Sequence, residues 1–165
     1  MHLPTTLPLD GGPLGLRRAT AADLPALVAL LADDPLGAGR EDVDGDLSPY
    51  RRAFDLVDAD PAHVLVVAVD AEVVVGTLQL SFLPGLARRG ALRAQLEAVR
   101  VAAGARGRGV GAAMVAWALD EAGRRGAALV QLTTDKSRPD AHRFYERLGF
   151  VASHEGMKLQ LPRPS

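Results

Sequence analysis

The sequence has no cysteine among its 165 residues, so it can form neither a disulfide nor a thiolate metal site. Its four histidines, His2, His63, His142 and His154, lack the spacing of metal ligands, and we expect no metal centre. It has no run of about 18 apolar residues, so we expect no membrane span. The first residues lack the basic start and apolar core of a signal peptide, so we expect a cytoplasmic protein.

The small net charge of −1 hides two unlike halves. Residues 1–81 carry 5 basic and 13 acidic side chains, whereas residues 82–165 carry 14 and 7. The basic half is suited to an anion and the acidic half to a cation, although an uneven solvated surface explains the same composition. We expect no nucleic-acid partner.

Hydrophobic periodicity predicts an α/β protein with one domain over residues 14–165 and a flexible arm over residues 1–13. The arm is assigned from its prolines and its glycine pair. Alternating segments predict strands at 14–20, 63–70, 72–82, 92–101, 127–134 and 157–161, with an optional short strand at 150–153. Helical spacing and capping residues predict helices at 22–34, 48–60, 110–125 and 137–149.

The strand at 92–101 changes phase along its length. Its apolar residues hold even positions from Leu92 to Leu96 and odd positions at Val99 and Val101. A regular strand would turn its core face outward at that point. One extra residue restores the phase, so the pattern predicts a β-bulge near Glu97–Ala98.

The segment after this strand reads Arg-Gly-Arg-Gly-Val-Gly, from Arg106 to Gly111, and leads directly into a helix. Glycines at a helix N-terminus present free N–H groups and the positive end of the helix dipole, which is typical of a phosphate site. The string also fits the dinucleotide fingerprint, but only 54 residues follow Gly111, too few for that fold. A nucleotide-triphosphate loop is excluded because the Gly-Lys-Ser/Thr motif is absent.

Two motifs together resemble the GNAT acetyltransferases, which use acetyl coenzyme A. The first is the glycine loop, of the form R/Q-x-x-G-x-G/A, and the second is A-x-x-F-Y-x-x-x-G-F, at Ala141, Phe144, Tyr145, Gly149 and Phe150. The resemblance covers about residues 97–150. It implies a mixed, mostly antiparallel sheet of six to seven strands, with helices on both faces and a splayed strand pair that holds the coenzyme.

The resemblance also assigns coenzyme-binding residues. Backbone N–H groups from Arg108 to Ala112 would bind the pyrophosphate, and the backbone near Val99 would bind the pantetheine arm and the thioester carbonyl. His142 would line the coenzyme side of its helix. The full expected set is Val99, Arg100, Val101, Arg106, Gly107, Arg108, Gly109, Val110, Gly111, Ala112, His142 and Tyr145.

The same resemblance suggests catalytic roles. Tyr145 would protonate the leaving thiolate, and Glu97 would act as the base through a water, with His154 as a second candidate. A core aromatic and a solvated strand glutamate are the alternatives for the first two. One position departs from the family: Arg138 stands where many members have asparagine, which puts one coenzyme contact in doubt.

The expected reaction is direct transfer of acetyl to a primary amine of a small molecule or a protein. Residues 41–60 hold seven acidic and two basic side chains, which favours a cationic acceptor. The alternative is a catalytically silent domain that binds an acyl coenzyme A as a sensor or partner module. The resemblance also makes a homodimer an option.

Overall fold

The computed structural model describes residues 3–33 and 39–161, in two compact units that divide after Leu132. The first unit contains a six-stranded sheet whose strands lie side by side in chain order. Neighbouring strands are antiparallel except the last pair, which is parallel, so the expected mixed, mostly antiparallel sheet is confirmed. The strands are β1 (Thr5–Leu7), β2 (Leu14–Arg18), β3 (His63–Asp70), β4 (Val73–Leu83), β5 (Arg93–Val101) and β6 (Leu129–Leu132).

Helices pack on both faces of this sheet. Helix α1 (Leu24–Ala32) and helix α2 (Ser48–Ala59) lie on the face of Val67, where Leu27 and Phe54 join its buried cluster. Gly76 points to the opposite face, because its strand neighbour Thr77 pairs with Val67. A Cβ on Gly76 would lie 3.0 Å from Met114 Cε, which places helix α4 (Val110–Arg124) on that second face.

The remaining helices are short. The segment α3 (Ala87–Gly90) is a single turn between β4 and β5, in which Arg88 and Arg89 have left-handed φ values of 56° and 61°. Helix α5 (Pro139–Arg147) belongs to the second unit. Pro139 occupies the first position of α5, where its missing N–H removes no hydrogen bond. Among the described residues, no helix has the length and apolar character needed to cross a membrane.

The first residues differ from the flexible arm expected from the sequence. Thr5–Leu7 forms β1, which pairs with β2 so that Leu7 lies opposite Leu14. Leu7 is 3% exposed and Leu14 1% exposed, and the burial of this pair explains why the segment joins the sheet. Its prolines lie just outside the strand, where they remove no ladder hydrogen bond. His2 falls outside the described residues.

The predicted strand at 157–161 is wrong, and so is the optional strand at 150–153. Residues 150–161 form neither helix nor strand. Met157 and Leu159 have the alternation of a strand but are 96% and 87% exposed. Alternation alone does not make a strand, because a strand also needs a neighbour to complete its hydrogen bonds, and the described part of the second unit contains none.

The predicted β-bulge is confirmed. Thr77 pairs with Arg100 and Gln79 pairs with Glu97, so the single residue Leu78 faces both Ala98 and Val99. Ala98 has a φ of 52°, in the left-handed region that non-glycine residues rarely adopt. The extra residue therefore sits immediately after Glu97, in the strand that leads to the glycine loop.

Candidate active site

The glycine loop ends in a helix N-terminus with the geometry of an anion site. Gly107 and Gly109 have φ values of 77° and 82°, which glycine adopts without strain. Gly109 is the N-cap of α4, and its carbonyl accepts the first helical hydrogen bond, from the N–H of Ala113. The N–H groups of Val110, Gly111 and Ala112 form the first helical turn, where an α-helix supplies no acceptor.

Arg106 forms hydrogen bonds and an ion pair with other residues of the chain. Its Nη2 lies 2.7 Å from Asp33 Oδ2 and 2.9 Å from the Asp33 carbonyl oxygen, and its Nε donates to the carbonyl of Val101 at 3.1 Å. Asp33 Oδ2 also accepts from the N–H of Ala103 at 3.2 Å. Arg106 thus connects the end of α1 to the loop, and a phosphate would have to compete with Asp33 for it.

Arg108 also has a carboxylate partner. Its Nη1 lies 2.9 Å from Asp70 Oδ2, at the end of β3. Both side chains are more than a third exposed, and exposed pairs of this kind contribute about 0–1 kcal/mol. The two arginines expected to bind phosphate therefore lie at the loop, but each is paired with a carboxylate with which a phosphate would have to compete.

Amino-terminal residues lie against the same loop. A Cβ built on Gly109 would lie 3.5 Å from Leu9 Cδ2, and one built on Gly11 would lie 4.0 Å from Arg108 Nε. The sequence analysis did not link these residues, because they are about a hundred positions apart. The segment after β1 therefore helps to position the glycine loop.

Strand β5 extends beyond its partner β6. The parallel ladder ends where Leu96 pairs with Leu132, while β5 continues through the bulge to Val101. The β5–β6 ladder thus stops before the bulge, and the splay expected of this strand pair stays a prediction. Val99, Arg100 and Val101, the predicted pantetheine contacts, all lie on this extension, and Arg100 Nη1 donates to the Val99 carbonyl at 3.0 Å.

Glu97 ends a row of polar side chains that the sequence analysis did not identify as a group. Ser81 lies opposite His63 on β3 and Gln95 on β5, and Gln95 lies opposite Gln131 on β6. Directly opposite residues share a sheet face. We call the set the polar row: His63, Gln79, Ser81, Gln95, Glu97 and Gln131.

Hydrogen bonds connect the polar row in two groups of three residues. Gln131 Nε2 donates to Gln95 Oε1 at 2.9 Å, and Gln95 Nε2 donates to Glu97 Oε1 at 2.7 Å. Gln79 Nε2 donates to Ser81 Oγ at 3.2 Å, and His63 Nδ1 shares a 2.9 Å hydrogen bond with the same oxygen. The alternation of polar residues in β4 and β5 was the available sequence signal, but the register that aligns the strands was not.

The second unit contains the other motif. Tyr145 packs edge-on against Phe144 and Phe150, with ring centroids 5.0 Å and 5.8 Å away. His142 Nε2 lies 3.1 Å from the Asp135 carbonyl oxygen. Arg138 caps the start of α5, and its carbonyl accepts from the N–H groups of Ala141 and His142.

His154, the second candidate base, lies beyond α5. Its Nδ1 is 2.8 Å from Ser153 Oγ. The structure thus gathers the glycine loop, the β5 extension and Glu97 in one unit, and His142, Tyr145 and His154 in the other. The assigned roles of all these residues stay predictions.

Several acids of residues 41–60 have local partners. Glu41 accepts a hydrogen bond from Tyr50 Oη at 2.9 Å, and Asp55 pairs with Arg51 at 2.8 Å. Asp46 accepts from Ser48, whose side chain and N–H lower the pKa of that carboxyl. Much of this acidity stabilises the ends of α2 as well as contributing negative charge. Among the described residues, no three acids or histidines are grouped to hold a metal ion.

The sequence profile of the acetyltransferase (GNAT) family matches residues 24–150, which span the glycine loop, the bulged strand and Tyr145. The chain belongs to the GNAT acetyltransferase family. This confirms the resemblance drawn from the two motifs. Membership of this family indicates that the chain is an acyltransferase.

Solved structures of similar proteins support this GNAT assignment. A transcriptional regulator from Bacillus halodurans is 48% identical, covers 90% of this chain and 99% of its own, and superposes with a TM-score of 0.86. An acetyltransferase from Trypanosoma brucei is 26% identical over the same shares, with a TM-score of 0.73.

One curated relative matches over a shorter stretch. An aminoalkylphosphonate N-acetyltransferase from Salmonella typhimurium is 49% identical over 49 residues, which are 30% of this chain. The match spans about a third of that relative's length, 32%.

Proposed function

We propose that this GNAT protein transfers acetyl from acetyl coenzyme A directly to a primary amine. One observation carries the proposal: the glycine loop at the N-terminus of α4 follows a bulged strand whose edge extends beyond its neighbour. A phosphate site and an open strand edge, joined by a few residues, suit a ligand with a pyrophosphate at one end and an extended amide arm at the other.

In this mechanism the chain first holds the coenzyme. N–H groups from Arg108 to Ala112 bind the pyrophosphate, and Arg106 and Arg108 exchange a carboxylate for phosphate oxygens. The backbone from Val99 to Val101 binds the pantetheine arm as a neighbouring strand would. The N–H near Val99 donates to the thioester carbonyl oxygen and stabilises the negative charge that develops there.

Two side chains then move protons. Glu97 accepts a proton from the acceptor ammonium through a water, which frees the nitrogen lone pair to attack the thioester carbon. The new C–N bond forms and the C–S bond breaks. Tyr145 donates its phenolic proton to the departing thiolate. Acetyl passes directly from sulfur to nitrogen, and no enzyme thiol takes part because the sequence has no cysteine.

The proposed acceptor presents an ammonium group. The acidic surface of residues 41–60 favours a cation, although several of its carboxylates have local partners. The name of the Salmonella typhimurium relative adds a second property, since an aminoalkylphosphonate carries an amine and an oxyanion in one molecule. We therefore include small amines that also bear an oxyanion among the acceptors to be tested.

A second candidate function is an acyl coenzyme A sensor without catalysis. The similar Bacillus halodurans protein, described as a transcriptional regulator, favours this alternative. Both functions require coenzyme binding. Only the enzyme releases free thiol when an amine is present. The homodimer and the cytoplasmic location stay predictions.

A thiol-release assay with acetyl coenzyme A and a panel of amines tests the proposal. We expect amine-dependent release that falls about a hundredfold in Tyr145→Phe. The chain has two tyrosines, so Tyr50→Phe is a matched control, and we expect it to retain activity. Coenzyme binding by calorimetry without release from any amine would favour the sensor. Absence of binding would overturn both functions.

A further inference from the structure

The polar row lies on the sheet face beside the proposed reaction point, and its composition differs sharply from that of the opposite face. On the same strands the opposite face carries Val64, Leu80 and Leu96, each at most 2% exposed. Helices α1 and α2 cover other residues of the row's face, such as Val67. The row is thus a half-open polar surface on a sheet that is otherwise packed.

A solvated strand surface is the plain alternative, but the row's contacts argue against it. Ser81 is 5% exposed, and its Oγ accepts a hydrogen bond from Gln79 and shares another with His63. Gln131 and Gln95 form a second hydrogen-bonded chain, which ends at Glu97. Side chains that merely faced water would have no reason to align across four strands. The row orders its amides in a line that ends at the proposed base.

The charge of the polar row favours some amine substrates over others. Glu97 is the one acid in the row, so the row offers a single carboxylate to an ammonium group. Each glutamine amide has two N–H donors, and the hydrogen bonds described above use one on each. The second is left to donate to a ligand oxygen. A ligand with one amine and an oxygen-rich remainder suits this inventory better than a polyamine does.

Arg93 supplies a cation on the same face. It lies two residues before Gln95 on β5, and alternate residues of a strand share a face. Its Nη2 is 3.9 Å from the position of a Cβ on Gly85, and no ion pair engages it among residues 3–33 and 39–161. A guanidinium binds phosphonate, phosphate or carboxylate oxygens in a two-pronged geometry.

Arg93 and Glu97 are four residues apart on β5, roughly 13 Å between Cα atoms. Arg93 Nη2 lies near Gly85, in the loop after β4, and rotation of this long side chain along the row shortens the gap. A small molecule with an amine at one end and an anion at the other can therefore contact both, with the glutamine amides between them.

We infer that the polar row and Arg93 form the acceptor site and select a small amine that carries an oxyanion. The ammonium binds at Glu97 beside the bulge, and the oxyanion binds at Arg93 and the glutamine N–H groups. The inference rests on the proposed function, since it assigns the second substrate of the same reaction. It names the residues that recognise the part of the acceptor that does not react.

Four three-carbon amines test the inference: 3-aminopropylphosphonate, 3-aminopropanoate, 3-aminopropanol and 1,3-diaminopropane. We expect kcat/KM to be highest for one of the two anionic amines, whose comparison distinguishes phosphonate from carboxylate, and lowest for the diamine. Arg93→Ala should lower kcat/KM at least about tenfold for the preferred anionic amine, mainly through KM, because one charged hydrogen-bond partner is lost. It should change the value for 3-aminopropanol less than about twofold.

Two controls accompany this variant. Arg93→Lys should recover part of the loss because it keeps the charge, and Arg18→Ala, at the exposed end of β2, should leave all four amines unchanged. A preference for the diamine, or an equal effect of Arg93→Ala on all four amines, would overturn the inference and leave the proposed enzyme intact. Absence of acetyl coenzyme A binding in the wild type would overturn the proposed function, and the inference with it.

Discussion

Arg108 and Asp70 form an ion pair, with Nη1 2.9 Å from Oδ2, that joins the glycine loop to the end of β3. The pair means that the loop's charge is already balanced before an anion arrives. A ligand phosphate must take the place of the Asp70 carboxylate or share the guanidinium with it. The affinity of the loop for its ligand therefore includes the free energy of breaking this contact.

Asp70→Asn should tighten acetyl coenzyme A binding by about two- to fivefold, because the replaced pair is partly exposed and contributes up to about 1 kcal/mol. Titration calorimetry measures the change. Asp55→Asn is the matched control, since Asp55 pairs with Arg51 on α2 rather than with the loop. Weaker binding in Asp70→Asn would mean that the aspartate positions Arg108 for the phosphate instead of competing with it.

Gly109→Ala should weaken coenzyme binding and lower the stability of the fold by about 1–2 kcal/mol, because a Cβ is strained at a φ of 82°. Leu9 Cδ2, 3.5 Å from that Cβ, adds a close contact. Gly123→Ala is the paired control, in the last turn of α4, where a Cβ meets no atom within 4 Å and alanine favours the helix by up to about 1 kcal/mol. Thermal melts and coenzyme titrations of both variants check this. Equal behaviour of the two glycines would refute the proposed need for a left-handed residue at position 109.

Ala98→Val should destabilise the protein by about 1–2 kcal/mol, since a β-branched residue tolerates a left-handed backbone poorly. Ala98→Gly should differ from wild type by less than about 1 kcal/mol, because relief of strain is offset by a more flexible unfolded chain. Urea unfolding of the two variants gives the comparison. If valine were accepted as readily as glycine, the bulge in solution would not have the backbone described at Ala98.

Asp23 controls the acid stability of the first unit. Hydrogen bonds from Arg17, at 2.7 and 2.8 Å, and from Thr20 lower the pKa of this buried carboxyl from 3.8 to about 2. Since the pKa is lower in the folded state, the contribution is fully present above about pH 4 and is lost as the pH falls toward 2. Asp23→Asn should lose about 2 kcal/mol at pH 7.

The free energies of unfolding of wild type and Asp23→Asn should therefore converge between pH 5 and pH 2, because the wild-type carboxyl becomes neutral over that range. Denaturant titrations at several pH values measure the difference. A difference that stayed constant down to pH 2 would show that the ion pair with Arg17 is not its source. Asp55→Asn, which removes an exposed partner of Arg51, should cost less than about 1 kcal/mol at pH 7 in the same series.

Local patterns in the sequence were sufficient to predict several features of the structure. The phase change between Leu96 and Val99 predicted the bulge, and the glycines before Val110 predicted the helix N-terminus that the structure contains. Both depend on residues within a few positions of one another. Backbone conformation and hydrophobic burial act on that scale, so a single sequence records them.

The remaining features depend on long-range register, which no local pattern records. Arg106 and its partner Asp33 are 73 positions apart, so the neutralised charge of the loop could not be foreseen. The polar row requires four strands in one alignment. The wrong strand at 157–161 has the same origin, because its alternation was visible, whereas the lack of a neighbouring strand in the described part of the second unit was not.

Leu9 and the strand before it have a practical consequence for anyone who shortens or extends the protein at its amino end. Residues 3–12 look dispensable, yet β1 anchors them to the sheet and Leu9 lies against Gly109. Trimming back to residue 14 would remove the side chain that lies against the loop. A purification tag at the amino end would be joined to the chain a few residues before β1. Coenzyme affinities should therefore be measured after the tag is cleaved.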